Sequence, residues 1–82
     1  MKIIKIGAVW CSSCLIMKSR FNDLIKNMNI EIEELDYDDA SEIMDKYGIS
    51  TDILPIYIRE DNSNYIIGEK TKKEILEFIE EK

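Results

Sequence analysis

The 82-residue chain contains no histidine, one proline, three glycines, one tryptophan and two cysteines. Each scarcity removes a class of protein. A zinc site normally takes four Cys and His ligands, and one copy of this chain offers two thiols and nothing to complete the set. Two cysteines are also too few for a small secreted scaffold stapled by disulfides. Little glycine and proline, beside 45% hydrophobic residues, excludes a low-complexity or disordered chain. Cations are outnumbered: 11 Lys and Arg against 17 Asp and Glu leave a net charge of −6. That is the wrong sign for a nucleic-acid backbone or an anionic membrane surface. No apolar run approaches the ~20 residues of a membrane helix. Met1–Val9 has the look of a signal sequence, but Lys5 interrupts it, and Trp10 stands where a lipoprotein signal needs a small residue. The expectation is one domain over residues 1–82, cytoplasmic and monomeric, with no nucleic-acid or membrane partner.

Within that frame the pattern of apolar residues predicts seven elements. Residues 2–9 are β-branched and read as a strand buried on both faces. A helix is predicted over Ser12–Asn27, with Met17, Phe21, Leu24, Ile25 and Met28 recurring on one side. Ile30–Asp36 reads as a second strand in which Leu35 falls out of phase with Ile30 and Ile32. Asp39-Ala40-Ser41-Glu42 has capping-box form and opens a short helix, Ala40–Tyr47, that Gly48 ends. Ile56–Arg59 and Tyr65–Gly68 flank the turn Asp61–Asn64 as a hairpin, and Thr71–Glu74 caps a last helix whose Ile75, Leu76, Phe78 and Ile79 pack inward. The order β-α-β-α-β-β-α is an α/β fold. The first βαβ unit makes strands one and two parallel, and the hairpin adds antiparallel strands, so the sheet is four-stranded and mixed with helices on both faces.

Reactivity is concentrated in Trp10-Cys11-Ser12-Ser13-Cys14, at the carboxyl end of the first strand, where the crevice of an open α/β sheet lies. Cysteines three apart at a helix start share a face, close enough for a disulfide. Three readings compete. The pair could hold zinc between two chains; it could be two inert buried thiols; or it could be redox-active, since the helix N-terminus favours a thiolate. Cys-x-x-Cys in a βαβ context is a redox signal.

The stretch Lys2–Cys14 followed by a helix, with Tyr47-Gly48-Ile49 and then Leu54-Pro55 before a strand, resembles thioredoxin. The resemblance covers nearly the whole chain but lacks the extra N-terminal strand and helix of full-length thioredoxins. In size and element order the chain is similar to short, glutaredoxin-sized thioredoxin-like proteins. The resemblance implies a thioredoxin-like fold and a thiol–disulfide oxidoreductase acting on protein disulfides. It makes Cys11 the exposed attacking cysteine and Cys14 the buried resolving one. Trp10 would shield the pair and offer an aromatic contact. Ser12 and Ser13 would line the substrate side, Pro55 would be the cis-proline facing the cysteines, and the backbone of Leu54 would pair with an extended substrate segment. No cofactor beyond a Cys11–Cys14 disulfide is implied, and no metal. The partners implied are disulfide-containing substrate proteins and an electron donor of the thioredoxin-reductase type.

The chain also departs from the family. Ser12-Ser13 replaces Gly-Pro, and hydroxyls donating to the Cys11 sulfur would make the pair more oxidising than a thioredoxin at about −270 mV. Lys5 stands where thioredoxins carry a buried aspartate, and Glu34 falls near the family's lysine partner, which suggests a pair with reversed signs that tunes the thiols. A lysine snorkelling to solvent is the alternative. Ser19 replaces a helix-kinking proline, so that helix is expected to run straight. The stretch Ile49–Pro55 is two residues longer than usual. Leu15 and Ile16 either extend an apolar docking patch or are buried. Two other functions stay open: a glutathione-linked glutaredoxin, weakened by Trp10, by the missing Pro-Tyr and by the single Gly68, and a non-catalytic binding module, against which both cysteines argue.

Overall fold

β1 (Lys2–Gly7) is the strand on which the rest assembles; in the computed structural model, which describes residues 1–81, it lies between two partners. β2 (Glu31–Asp36) pairs with it in parallel, and β3 (Ile56–Arg59) pairs antiparallel on its other side. β4 (Tyr65–Ile67) closes the hairpin with β3, giving the order β2-β1-β3-β4. The expected mixed four-stranded sheet is therefore present. The two central strands are buried on both faces, which is why Ile3, Ile4, Ile6, Ile56 and Ile58 run together without polar alternation.

α1 (Ser12–Ile25) and α3 (Lys72–Glu80) cover one face, where Met17, Phe21, Ile75, Phe78 and Ile79 meet Ile3 and Tyr57. α2 (Ser41–Lys46) covers the other, where Met44 meets Ile4, Ile6, Ile56 and Ile58. α1 is an unbroken α-helix through Ser19, as the missing proline implied.

Several boundaries differ from the sequence reading for physical reasons. β1 stops at Gly7 because Val9 and Trp10 leave the sheet in a turn closed by the Cys11 N–H on the Ala8 carbonyl, at 3.1 Å. Met28 lies beyond the end of α1 and is 41% exposed, so it is not a member of the apolar face. The phase change in β2 is real: β2 is an edge strand, and Ile32 packs on the α1 side while Leu35 packs on the α2 side. Asp39 does not cap α2. It ends a 3-10 turn, Tyr37–Asp39, capped instead by Asp36, whose carboxylate accepts from the Asp38 N–H at 3.0 Å. Ala40 occupies the N-cap of α2 without a side-chain bond.

Two terminations match. Gly48, at φ +69°, ends α2 in a Schellman arrangement: the Ile49 N–H reaches the Met44 carbonyl at 2.8 Å and the Gly48 N–H reaches Asp45 at 3.2 Å. Thr71 and Glu74 form a reciprocal capping box at the start of α3. Those donated bonds hold the Glu74 carboxyl below its usual range. Leu76 is half-buried, while Ile75, Phe78 and Ile79 are buried as expected.

Arg59 was not singled out by sequence. It is 5% exposed at the end of β3 and donates to the carbonyls of Phe78 and Ile79, both at 3.0 Å, and of Glu81. These are carbonyls that the end of α3 leaves without helical partners. The Asp61 carboxylate receives the other edge of the guanidinium, at 3.0 and 2.6 Å.

Candidate active site

The turn at Ala8–Trp10 carries the chain out of β1 and into α1 with Cys11 as the N-cap. Its backbone is extended (φ −95°, ψ 106°), and its Sγ accepts a hydrogen bond from the Cys14 N–H at 3.2 Å. A sulfur thus occupies the place where a serine or aspartate oxygen ordinarily satisfies a free helical N–H. That N–H and the N-terminal end of α1 both face the sulfur. Cys14 lies one turn in, on the same face.

Both thiols are free, and both are nearly covered, Cys11 at 8% and Cys14 at 5% exposure. The contrast of an exposed attacker and a buried resolver is therefore corrected: Cys11 turns its sulfur inward as the cap and joins Cys14 and Leu54 in the core cluster on the α2 face. Access comes from a groove of about 390 Å³ along the carboxyl ends of β1 and β2, bordered by both cysteines, Gly7, Val9 and Leu15. Burial, and then the hydrogen bond with Cys11, push the Cys14 thiol up from its ordinary value. An Ala8 backbone hydrogen bond and the Lys5 charge pull the other way.

The side chains around the pair divide sharply by exposure. Trp10 is 71% exposed and Val9 98%, so both side chains are presented to solvent. Leu15 and Ile16 are exposed, as is Ile53 in the stretch before Pro55, and of the three Leu15 borders the groove over the sulfurs. Ser12 is exposed and Ser13 half-buried. Among the described residues the donor to the Cys11 sulfur is the Cys14 backbone, not a serine hydroxyl, so the expected hydroxyl contact is not made.

Leu54 and Pro55 are both buried, and the peptide bond between them is cis. The Pro55 carbonyl is held by the Gly68 N–H at 2.8 Å, where Gly68 takes φ +83°. The longer approach to Pro55 is tied down by Tyr37, whose hydroxyl donates to the Thr51 carbonyl at 3.3 Å, and by the Ile53 N–H on the Thr51 hydroxyl at 3.1 Å.

Lys5 and Glu34 are direct neighbours in the parallel register, and Lys5 Nζ donates to Glu34 Oε1 at 3.5 Å. Lys18 Nζ approaches the same oxygen at 4.0 Å. The reversed-sign pair exists in the fold. Its lysine is buried and its carboxylate is open to solvent, which satisfies the cation where the strand is dry.

Two residues of this site escaped the sequence reading. One is Tyr57, buried on β3 as the cross-strand neighbour of Lys5. The other is Gly7: a Cβ built there would lie 3.1 Å from Cys14 Sγ and 3.7 Å from Lys5 Cε. The absence of a side chain is what leaves the Cys14 sulfur its room against β1. The only sequence signal was a glycine ending a β-branched strand. Gly7→Ala is expected to displace the Cys14 sulfur, destabilising the protein by about 1–2 kcal/mol and slowing closure of the disulfide. Denaturant melts and the rate of Cys11–Cys14 oxidation measure both; a closure rate equal to the native one would show that the sulfur has room to move.

An N-cap cysteine one turn from a second cysteine, at the end of a parallel central strand and close in the core to a cis-proline loop, defines a dithiol site of the thioredoxin fold. Residues 1–81 match the thioredoxin family model, and the chain belongs to the thioredoxin family. Solved structures agree on the fold. A chain from a study of thiol resolution in yeast mitochondrial 1-Cys peroxiredoxin via glutathione/thioredoxin systems superimposes with TM-score 0.75 at 19% identity, over 99% of this chain and 77% of that one. A mutant thioredoxin of Halobacterium salinarum gives 0.72 at 15% identity, over 96% and 71%. Plasmodium falciparum thioredoxin gives 0.57 at 23% identity, over 94% and 66%. A sequence search of curated proteins gives no match. Among the described residues no group of three or more His, Cys, Asp or Glu side chains is placed to hold a metal ion, and no helix is long and apolar enough to cross a membrane. The family and the cysteine pair give the protein a thioredoxin-like redox function.

Proposed function

We propose that the protein is a dithiol–disulfide oxidoreductase that reduces disulfides in other proteins. The observation that carries this reading is the Cys11 sulfur capping α1 within reach of the Cys14 N–H, in a groove that Val9 and Leu15 border. In the first step the Cys11 thiolate attacks one sulfur of a substrate disulfide. A Cys11–substrate bond forms, and the other substrate sulfur leaves as a thiolate that takes a proton from water. In the second, Cys14 gives up its proton and attacks the Cys11 sulfur. The Cys11–Cys14 bond forms, the remaining substrate sulfur leaves, and two electrons have passed to the substrate.

Trp10, Leu15 and Ile53 supply the apolar contact for a protein surface, Ser12 and Ser13 lie at its edge, and the Leu54 backbone before Pro55 offers pairing to an extended segment. The cysteine pair itself carries the electrons, so the reaction calls for no metal or organic cofactor. Its regeneration calls for a donor of dithiol equivalents, such as a reductase of the thioredoxin-reductase type. A cytoplasmic monomer fits this role, since reducing conditions keep the pair poised to donate.

Insulin reduction driven by dithiothreitol tests the reading against a glutathione-coupled assay. Acceleration of insulin precipitation with little glutathione-coupled turnover is expected. Turnover with glutathione alone would place the protein with glutaredoxin-like enzymes, and activity in neither would make it a binding module.

A further inference from the structure

The sheet has two edges, and they are built differently. β4 is three residues long and offers little to a neighbouring chain. β2 is six residues long and pairs with β1 in unbroken register from Glu31 to Asp36, with no bulge and no proline. The Glu31 N–H is spent on the Met1 carbonyl, on the β1 side. Main-chain groups alternate along a strand, so those of Glu31, Glu33 and Leu35 face β1, and those of Ile32, Glu34 and Asp36 face outward. No strand lies outside β2 among the described residues. Its outer edge is a straight row of N–H and C=O groups open to another chain.

Charge selects which chain. Glu31, Glu33, Glu34 and Asp36 are exposed along β2, and Asp38 and Asp39 are exposed just past its end. The cations near them stand on the inner side: Lys2 of β1 lies 3.4 Å from Glu33, and Lys5 and Lys18 share Glu34. Six carboxylates against three lysines leave the edge negative. A second copy of β2 laid alongside would set carboxylate against carboxylate, which is destabilising. An extended segment bearing Lys or Arg satisfies both the backbone and the charge, and its aliphatic stems would cover the half-buried Ile32 and Leu35. Acidic residues that only guarded an edge would need no path to a reactive site, and here there is one. The carboxyl end of β2, Glu34 to Asp36, borders the same groove of about 390 Å³ that both cysteines border. Leu54 and Pro55, which precede β3 on the other side of β1, do not border it.

We propose that the outer edge of β2 takes an extended basic segment of the substrate protein as a fifth strand, which delivers the adjoining half-cystine into the groove at Cys11. The inference rests on the dithiol reading above and names the class of substrate. β2 runs toward the groove, and antiparallel pairing is the more stable kind, so the bound segment runs away from the groove with its cysteine on the N-terminal side. Two strand spacings, ~10 Å, separate an added strand from β1, a gap that about three extended residues cross. The preferred target is therefore a disulfide whose cysteine precedes a Lys- or Arg-bearing strand by about three residues.

The test uses the reduced full chain and synthetic peptides whose single cysteine carries thionitrobenzoate, so that each peptide reduced releases one chromophore. The reference peptide is a cysteine, a Gly-Ser-Gly spacer and about six residues alternating lysine with valine. At low salt it is expected to react about tenfold faster than its glutamate analogue, and about 0.5 M salt should remove most of that difference. Moving the cysteine to the other end of the segment should forfeit most of the gain. N-methylation of one alternate set of amides should abolish it and N-methylation of the other set should not, because only one set faces β2. Glu31→Lys combined with Glu33→Lys, both on exposed side chains, should reverse the preference, while chromophore preloaded on Cys11 is still released by Cys14 at the native rate. Equal rates for the basic and acidic peptides, or equal effects of the two methylation patterns, would overturn the proposal. So would sedimentation as a dimer with the β2 amides protected from hydrogen exchange, which would give the edge to a second copy. A native chain that keeps thionitrobenzoate on Cys11 and never releases it would instead overturn the dithiol reading.

Discussion

Cys14→Ser is expected to leave substrate proteins covalently attached to Cys11, while Cys11→Ser should capture none and reduce none. The asymmetry follows from the helix start. Cys11 occupies the cap, where its sulfur accepts from a backbone N–H at 3.2 Å and lies nearer the open end of the groove. Cys14 sits a turn deeper, its thiol pushed up by burial and by its bond with Cys11, and so waits protonated until attack on a mixed disulfide calls on it. Removing Cys14 leaves the first step intact and deletes the second. Turnover with insulin should fall by at least about a thousandfold in either variant, because the two sulfurs act as a unit. Only Cys14→Ser should show an adduct on a non-reducing gel that dithiothreitol dissolves. An adduct of comparable yield on Cys11→Ser would reverse the assignment. Identifying the trapped proteins would also name the substrates.

Arg59→Met is expected to destabilise the protein strongly, with the thiols left chemically competent. Arg59 closes the end of α3 by donating to Phe78, Ile79 and Glu81, and its charge is matched by Asp61. Methionine fills similar space but leaves those carbonyls without the donor and Asp61 without its cation. Removing one member of such a buried arrangement destabilises by about 3 kcal/mol. In a domain of this size that lowers Tm by roughly 12–24 °C. Arg59→Lys should recover only part of the loss, since an ammonium cannot serve several carbonyls and a carboxylate with a planar fork. The Asp61 carboxyl, held below its ordinary value by the guanidinium, should return toward it in Arg59→Met. Arg59 lies at the far end of β3 from Pro55, so the rate of chromophore release from Cys11 below the melting range should be close to native. A Tm within a few degrees of native would show that water satisfies those carbonyls.

The elements legible in the chain were those with a local cause. Thr71 and Glu74 are three apart and cap each other without help from the rest of the molecule. Gly48 ends α2 through a positive φ that favours glycine. The α2 start failed for the opposite reason: Asp39-Ala40-Ser41-Glu42 has the right residues, but the tighter turn set by Asp36 consumed Asp39 before it could cap. β2 was read as an alternation with a flaw because its edge position, with Ile32 on one face and Leu35 on the other, is a property of the sheet order. The depth of Cys11 and the outward stance of Trp10 were hidden likewise, since both depend on how the Ala8–Trp10 turn leaves the strand.

The sequence by itself determined that two thiols stand one helical turn apart at the end of a buried strand, that no histidine accompanies them, and that a proline precedes the third strand. Those are matters of spacing, and spacing is local. Only the tertiary structure decided which polar groups surround the thiols. Glu34, Lys5 and Tyr57 belong to three different strands, and cross-strand register alone sets them in one row beside Cys14. Register is fixed by the burial of two apolar faces at once, so a slip by one residue would turn Lys5 and Tyr57 away from α1 and leave the resolving cysteine without its charged neighbours.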